Sequence, residues 1–243
     1  MPSAELLREK CLVVIPALNE ADTISSVVSN VKAQGYRHIM VIDDFSTDDT
    51  GRLAEEAGAL VISLSQRLGA WGATQTGMRY AVRKGFSTVI TMDADDQHPV
   101  EYLDTLLLGI TESANVAIGS FPERGSGLRQ IAWRWIRGAS GVKLDDLTSG
   151  FRAYDRLAVR RLASWQATLF EYQDIGVLLL LQRHGLVVRD IPVTMRERRA
   201  GKSRIFHSWA MVAYYMSHTL LLSASKRVSV RSKRSSTVRK VSI

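Results

Sequence analysis

Along its amino-terminal part the chain alternates short, unbroken apolar runs with stretches in which apolar residues recur every three or four positions. Residues 11–15, Cys-Leu-Val-Val-Ile, have the pattern of a parallel strand buried on both faces. Pro16 ends that run, and Pro-Ala-Leu-Asn-Glu leads into a helix predicted from Asp22 to Gln34, where Ile24, Val27, Val28 and Val31 fall at helical spacing. A second buried strand is expected at 38–42, then a helix from Thr50 to Ala57 and a strand from Ala59 to Leu64. Gly69, Gly72 and Gly77 punctuate a loop and the start of a helix that ends near Lys84, and a further strand follows at 88–92. Strands alternating with helical patterns predict βαβ units: an α/β fold with a mainly parallel, twisted sheet flanked by helices.

The second half is less regular. Pro99 suits the first turn of a helix over Val100 to Thr111, and 115–119 reads as a strand. Residues 128–137 form a basic helical pattern with two tryptophans, and 145–154 mix turn formers with aromatic and charged residues. A helix from Asp174 to His184 and a strand at 186–193 close the folded part. Beyond it lie a basic cluster, Arg196 to Arg204, and an apolar helical stretch, Trp209 to Leu222. The expected division is a catalytic domain over 1–205, an apolar helix over 206–225 and a basic, disordered tail over 226–243.

Charge refines this picture. The net charge is +8, but seven Lys or Arg and no acid follow residue 225, so 1–225 carry 25 cations against all 24 acids. The basicity belongs mostly to the tail, which argues against a basic nucleic-acid-binding core. A single cysteine, Cys11, excludes an internal disulfide. The amino terminus has acidic and basic residues and no long apolar segment, so it is not expected to be a signal peptide, and no run reaches the ~18–20 apolar residues of a membrane span. An intracellular protein is expected.

Candidate chemistry concentrates at strand ends. The run 89–99, Val-Ile-Thr-Met-Asp-Ala-Asp-Asp-Gln-His-Pro, places Asp93, Asp95 and Asp96 within four positions. Like charges this close repel unless a cation sits among them, and carboxylate and amide oxygens suit Mg²⁺ or Mn²⁺. In extended backbone Asp93, Asp95 and Gln97 project to one side; the competing reading is a solvated acidic turn. Asp43 and Asp44 end another strand, where one carboxylate can accept hydrogen bonds from a ribose or base; the competing reading is helix capping, with Asp44, Ser46 or Thr47 leading the helix near Thr50. The loop after the first strand lacks Gly-x-Gly-x-x-Gly, and no Gly-x-x-x-x-Gly-Lys-Ser/Thr occurs, which speaks against a dinucleotide-dependent dehydrogenase and a P-loop. The 196–204 cluster offers planar guanidiniums to phosphate, or is a solvated face.

Taken together these residues resemble inverting family 2 glycosyltransferases of the nucleotide-sugar-binding A-type fold. They are most similar to the polyprenyl-phosphate (dolichol-phosphate) mannosyl- and glucosyltransferases. The matching pieces are Val14-Ile-Pro-Ala-Leu-Asn-Glu20, Val41-Ile-Asp-Asp-Phe-Ser46, Met92-Asp-Ala-Asp-Asp-Gln-His-Pro99, Asp146-Leu-Thr-Ser-Gly-Phe-Arg152, Ile191-Pro-Val and Arg198-x-x-Gly-x-Ser-Arg204. They stand in family order. The resemblance implies that Pro16, Ala17, Glu20 and Ala94 line the nucleotide pocket and that Asp43 holds the base or ribose side. It implies that Asp93, Asp95 and Gln97 coordinate the metal, and that Arg198 and Arg204 meet phosphates. Asp146, Thr148 and Gly150 would shape an acceptor-side loop.

Two departures stand out. Family members carry Gly-Ser-Arg where this chain reads Gly119-Ser120-Phe121, so Arg124 becomes the substitute. Where many carry a Glu, this chain reads Asp174-Ile-Gly176, which makes Asp174 the replacement candidate. Asp95, Asp174 and Arg198 are the expected catalytic residues. The implied activity is metal-dependent transfer of a hexose from GDP-mannose or UDP-glucose to a polyprenyl phosphate, with inversion. The alternatives are a soluble acceptor and an inactive nucleotide-sugar-binding protein. A lipid acceptor would give the Trp/Arg helix, the apolar helix and the cationic tail a purpose at the inner, anionic membrane surface; a core helix and a solvated tail remain the rival readings.

Overall fold

In the computed structural model the described residues are 4–112, 114–121, 149–169 and 175–194. They belong to the compact unit Met1–Arg124 with Leu144–Ala200. The predicted elements at 128–137, 196–204 and 209–222, the 226–243 tail, and Arg124, Asp146, Thr148, Asp174, Arg198 and Arg204 all lie outside the described residues.

The order is α1 (Ala4–Arg8), β1 (Cys11–Ala17), α2 (Ile24–Ala33), β2 (Ile39–Asp43), α3 (Thr50–Glu56), β3 (Leu60–Ser63), α4 (Gly69–Lys84), β4 (Thr88–Thr91), α5 (Leu103–Glu112), β5 (Val116–Ser120), β6 (Arg152–Tyr154), α6 (Arg156–Leu162), α7 (Ile175–Arg183) and β7 (Val188–Pro192). Short 3₁₀ turns cover Val100–Tyr102 and Trp165–Leu169. One seven-stranded sheet runs β3-β2-β1-β4-β6-β5-β7. Every neighbouring pair is parallel except those of β6, which is antiparallel to β4 and β5. The α/β fold with a mainly parallel sheet is therefore as expected. Among the described residues no helix is long and apolar enough to cross a membrane.

β6 went unpredicted for a clear reason. It is three residues long and begins with a fully buried arginine, Arg152, whose Nε donates to the Ser149 carbonyl at 2.7 Å. Neither alternation nor an apolar run marks such a strand. α1, α6 and the 165–169 turn were missed for similar shortness. The expected punctuation by Gly72 and Gly77 is also corrected: both lie inside α4. A Cβ on Gly77 would meet Val14 Cγ1 at 2.4 Å, so glycine lets the helix lie directly against β1. Pro99 is extended and precedes a 3₁₀ turn, so α5 starts only at Leu103.

The sheet separates two layers. Val13 and Ile15 of β1 join Ile24, Val27, Val28 and Val31 of α2 and Leu103, Leu106, Leu107 and Ile110 of α5 in one core cluster. The opposite face of β1, with Val14, carries α4. Cys11, at the start of β1, is buried in the same cluster as Val13 and Ile15, and burial pushes its thiol up to about 12.

A charged pin secures α1 to α5. Arg8 Nε donates to Asp104 Oδ1 at 2.8 Å, a second Arg8 nitrogen donates to Asp104 Oδ2, and the Tyr36 hydroxyl donates to Oδ1 at 2.9 Å. The Arg8 hydrogen bond holds the Asp104 carboxyl below its ordinary 3.8 against the opposing effect of burial, and the Tyr36 bond helps. A depressed carboxyl stabilises the fold above its unfolded value and stops doing so as pH falls through its folded one. Stability contributed by this pin should therefore be complete above pH 3.8 and be lost on acidification below it. Asp104→Asn should lower stability at pH 7 by about 1–3 kcal/mol and flatten this acid limb, as read by urea denaturation at several pH values. An unaltered limb would show that Asp104 is not its source.

Candidate active site at the carboxyl edge

The strand order turns at β1: β2 and β3 extend to one side, β4 to the other. In open sheets such a switch point opens a crevice beyond the carboxyl ends of the strands. The loops after β1, β2 and β4 meet there.

The first two loops are tied by side chains accepting backbone N–H groups. Asn19, in a left-handed conformation at φ 51, accepts from Thr47 N at 2.8 Å, while its own N–H donates to Ser46 Oγ at 2.9 Å. Glu20 N donates to Thr50 Oγ1 at 2.8 Å and Ala21 N to Asp48 Oδ2 at 3.2 Å. Burial pushes the Asp48 carboxyl up, but the hydrogen bonds from Thr50 and Ala21 outweigh it and hold it below the ordinary 3.8. Thr23 Oγ1 donates to the Ala94 carbonyl at 2.7 Å, joining the start of α2 to the loop after β4.

The two carboxylates ending β2 have different jobs. Asp43 is buried, and its Oδ1 accepts from Ser46 N at 3.0 Å. Asp44 accepts from Leu68 N at 2.6 Å and Gly69 N at 2.9 Å. It therefore satisfies the first amides of α4, not those of α3. The expected capping of α3 by Asp44, Ser46 or Thr47 is corrected: Asp49 occupies the N-cap, and Asp48 Oδ1 accepts from Thr50 N at 3.0 Å.

The loop after β4 is not extended, so the simple alternation expected of Asp93, Asp95 and Gln97 does not apply. Asp96 sits at φ 59, and Gln97 N donates to Asp95 Oδ1 at 3.2 Å, which bends the backbone between them. Asp95 and Asp96 are buried, whereas the Asp93 side chain keeps 44% of its surface exposed. Among the described residues no group of three or more His, Cys, Asp or Glu could hold a metal ion. The candidate donors are two carboxylates and one amide, all hard oxygen ligands of the kind Mg²⁺ and Mn²⁺ take. Such a set fits a cation whose remaining positions go to a ligand's phosphates or to water.

Sequence reasoning assigned no role to His98, yet it organises this loop. The ring is fully buried, stacked on Phe151 at 4.9 Å between centroids, and its Nδ1 accepts from Asp93 N at 3.0 Å. In the neutral ring the proton then resides on Nε2, which lies 3.6 Å from Asp93 Oδ2. Gly150 approaches Asp93 from the other direction: a Cβ there would stand 2.6 Å from Asp93 Oδ1. Thr91 Oγ1 donates to the Gly150 carbonyl at 2.7 Å and holds it in place. Gly150 thus adjoins Asp93, and Pro16, Ala17 and Glu20 lie on and beyond the end of β1. The only sequence signal for His98 was its position directly after Gln97.

The chain matches the family model described as Glycosyl transferase family 2 over residues 12–166. It is 31% identical over 216 residues to the polyprenol monophosphomannose synthase of Mycolicibacterium smegmatis, covering 81% of each chain. It is 28% identical to the undecaprenyl-phosphate mannosyltransferase of Micrococcus luteus, covering 81% of this chain and 87% of that one. Among solved structures, glucosyl-3-phosphoglycerate synthase from Mycobacterium tuberculosis, in complex with Mn²⁺, UDP-glucose and phosphoglyceric acid, aligns with a TM-score of 0.68. That alignment is 23% identical and covers 92% of this chain and 84% of that one, a likeness of fold.

Asp44→Ala leaves the Leu68 and Gly69 amides without acceptors and should cost about 1–3 kcal/mol. Gly150→Ala should cost a similar ~1–3 kcal/mol, because the new methyl must displace the Asp93 carboxylate or the backbone around it. Denaturant midpoints measure both. An unshifted midpoint for either variant would remove that residue from the framework of the site.

Proposed function

The chain belongs to glycosyltransferase family 2, and we propose that it transfers a hexose from a nucleotide sugar to a polyprenyl phosphate with inversion at the anomeric carbon. The observation that supports this reading most directly is the meeting of three strand-end loops at the switch point. That meeting brings buried Asp43, half-exposed Asp93 and buried Asp95 to one edge. The names of the mannosyl-transferring relatives point to the same acceptor class.

In this reading Asp43 accepts hydrogen bonds from the base or ribose, and Pro16, Ala17, Glu20 and Ala94 line the nucleotide pocket. Asp93 and Asp95, with Gln97, hold Mg²⁺ or Mn²⁺. The ion supplies positive charge beside the donor diphosphate as negative charge builds up on the leaving group. His98 and Gly150 fix where the Asp93 carboxylate stands. Arg124, Arg198 and Arg204 meet phosphates of donor or acceptor, and Asp146, Thr148 and Gly150 shape the acceptor side. An acceptor phosphate oxygen attacks the anomeric carbon while the bond to the nucleoside diphosphate breaks, and the diphosphate departs with the bonding pair. With a second pKa near ~6 a phosphate monoester is largely ionised at neutral pH, so Asp174 has little proton to remove. The catalytic domain spans 1–205, and the segments 206–225 and 226–243 meet the inner surface of the membrane.

Asp93→Ala and Asp95→Ala should each reduce metal-dependent transfer by about 100-fold or more, the scale of a few kcal/mol of lost charge stabilisation. A thermal-shift panel of nucleotide sugars with Mg²⁺ or Mn²⁺ identifies the donor, since a ligand at 100 times its Kd adds about 2.7 kcal/mol. Wild-type turnover in both variants would overturn the metal assignment. Transfer to a soluble sugar and not to polyprenyl phosphate would overturn the acceptor.

A further inference from the structure

We infer that the outer face formed by α4, α6 and the 165–169 turn is a docking surface for an anionic lipid bilayer. It deepens the proposed function by locating where the body of the enzyme meets its lipid acceptor, and rests on that reading only for this purpose.

The first support is the segregation of charge. α4 and residues 156–169 carry Arg79, Arg83, Lys84, Arg156, Arg160 and Arg161, and not one Asp or Glu. Among the described residues Asp155, which directly precedes α6, is already committed: Oδ1 accepts from Ala158 N at 2.7 Å and Oδ2 from Asn115 Nδ2 at 2.6 Å. The other side of the sheet is different. Its helices α1, α3 and α5 carry Glu5, Glu55, Glu56 and Asp104. Ion pairs among the described residues likewise involve Arg8 and Arg52, and none uses Arg156, Arg160 or Arg161.

The second support is apolar surface interleaved with those cations. Trp165 is 71% exposed, Leu157 56% and Val82 41%, with Leu68 at the start of α4 also exposed. On α6, Arg156, Leu157, Arg160 and Arg161 share the outer face, while Ala158, Val159 and Leu162 are buried. A tryptophan beside arginines on a solvent-facing helix has the chemistry of the bilayer interface: the indole rests among headgroups while the guanidiniums pair with lipid phosphates.

The third support is position. Trp71 Nε1 donates to the Ala167 carbonyl at 2.8 Å and Gln75 Nε2 to Leu162 O at 2.9 Å, so the Trp165 end of the face packs on the first turns of α4. Asp44 pins that same end of α4 to the carboxyl edge of the sheet. The Trp165 end of the basic face therefore adjoins the rim of the candidate site. A phosphate held at a membrane surface would arrive there.

The test uses the full chain with sedimentable vesicles of phosphatidylcholine alone or mixed in equal parts with phosphatidylglycerol. Wild type should partition onto the mixed vesicles and not onto phosphatidylcholine. The triple variant R156E/R160E/R161E should lose about tenfold or more in partition coefficient, and the separate pair L157S/W165A a comparable factor. Both should keep their far-UV circular dichroism, because every altered side chain is exposed. Wild-type partition by both variants would overturn the proposal and assign vesicle binding to another part of the chain. Absence of wild-type binding would also overturn it, as would a charge-reversal effect only on self-association or nucleic-acid binding. Partition needs neither donor nor turnover. Intact partition without transfer would thus sink the proposed function alone. Lost partition with transfer to a water-soluble, short-chain polyprenyl phosphate retained would support both.

Discussion

Parallel strands end together, and the loops that leave them carry amide groups needing acceptors that the ladder does not provide. At the carboxyl edge of this sheet those acceptors are side chains. Asn19 takes the amide of Thr47, Asp43 that of Ser46, Asp48 those of Ala21 and Thr50, Asp44 those of Leu68 and Gly69, and His98 that of Asp93. An amide left unmet inside a protein costs about as much as a lost hydrogen bond. The edge is therefore held by polar residues.

This constraint divides the acids of the edge into two classes that look alike in sequence. Asp44 and Asp48 are occupied with backbone, whereas Asp93 keeps almost half of its surface open to solvent. A carboxylate with both oxygens already directed at amides is a poorer ligand for anything else than one, like Asp43 or Asp95, with a single oxygen engaged by the backbone. Proximity in the chain says little about which class a residue joins: Asp43 and Asp44 are adjacent, yet only Asp44 reaches across to another helix.

The parallel core was legible because β1 and β2 are built on unbroken apolar runs, β4 is a short β-branched stretch and α2 has a clean helical stripe. Asp43, Asp93 and Asp95 stood out as candidates because they end or follow such stretches. What escaped was set by contacts distant in sequence. Gly77 reads as a break but serves helix-to-strand contact with Val14, and β6 hides behind a buried arginine. His98 owes its role to Phe151, more than fifty positions away, and no local pattern announces a stacked ring. The extended alternation expected of Asp93, Asp95 and Gln97 failed because a left-handed residue, Asp96, turns the chain between them.

The antiparallel insertion of β6 bears on how the chain can vary in length. The chain leaves the sheet after Ser120 and re-enters at Arg152 on the neighbouring strand, with Gly119 N donating to Phe151 O at 2.8 Å across the gap. Departure and return are thus one hydrogen bond apart. Whatever length of polypeptide lies between them is a detour whose doubling costs only about 0.6 kcal/mol in closure entropy. Gly150, beside Asp93, belongs to the returning end. A change in the length of that excursion leaves the register of β5 and β6 untouched, and its returning end still meets Asp93. The sheet is thus a fixed socket, and the excursion a fitting that can change without disturbing it.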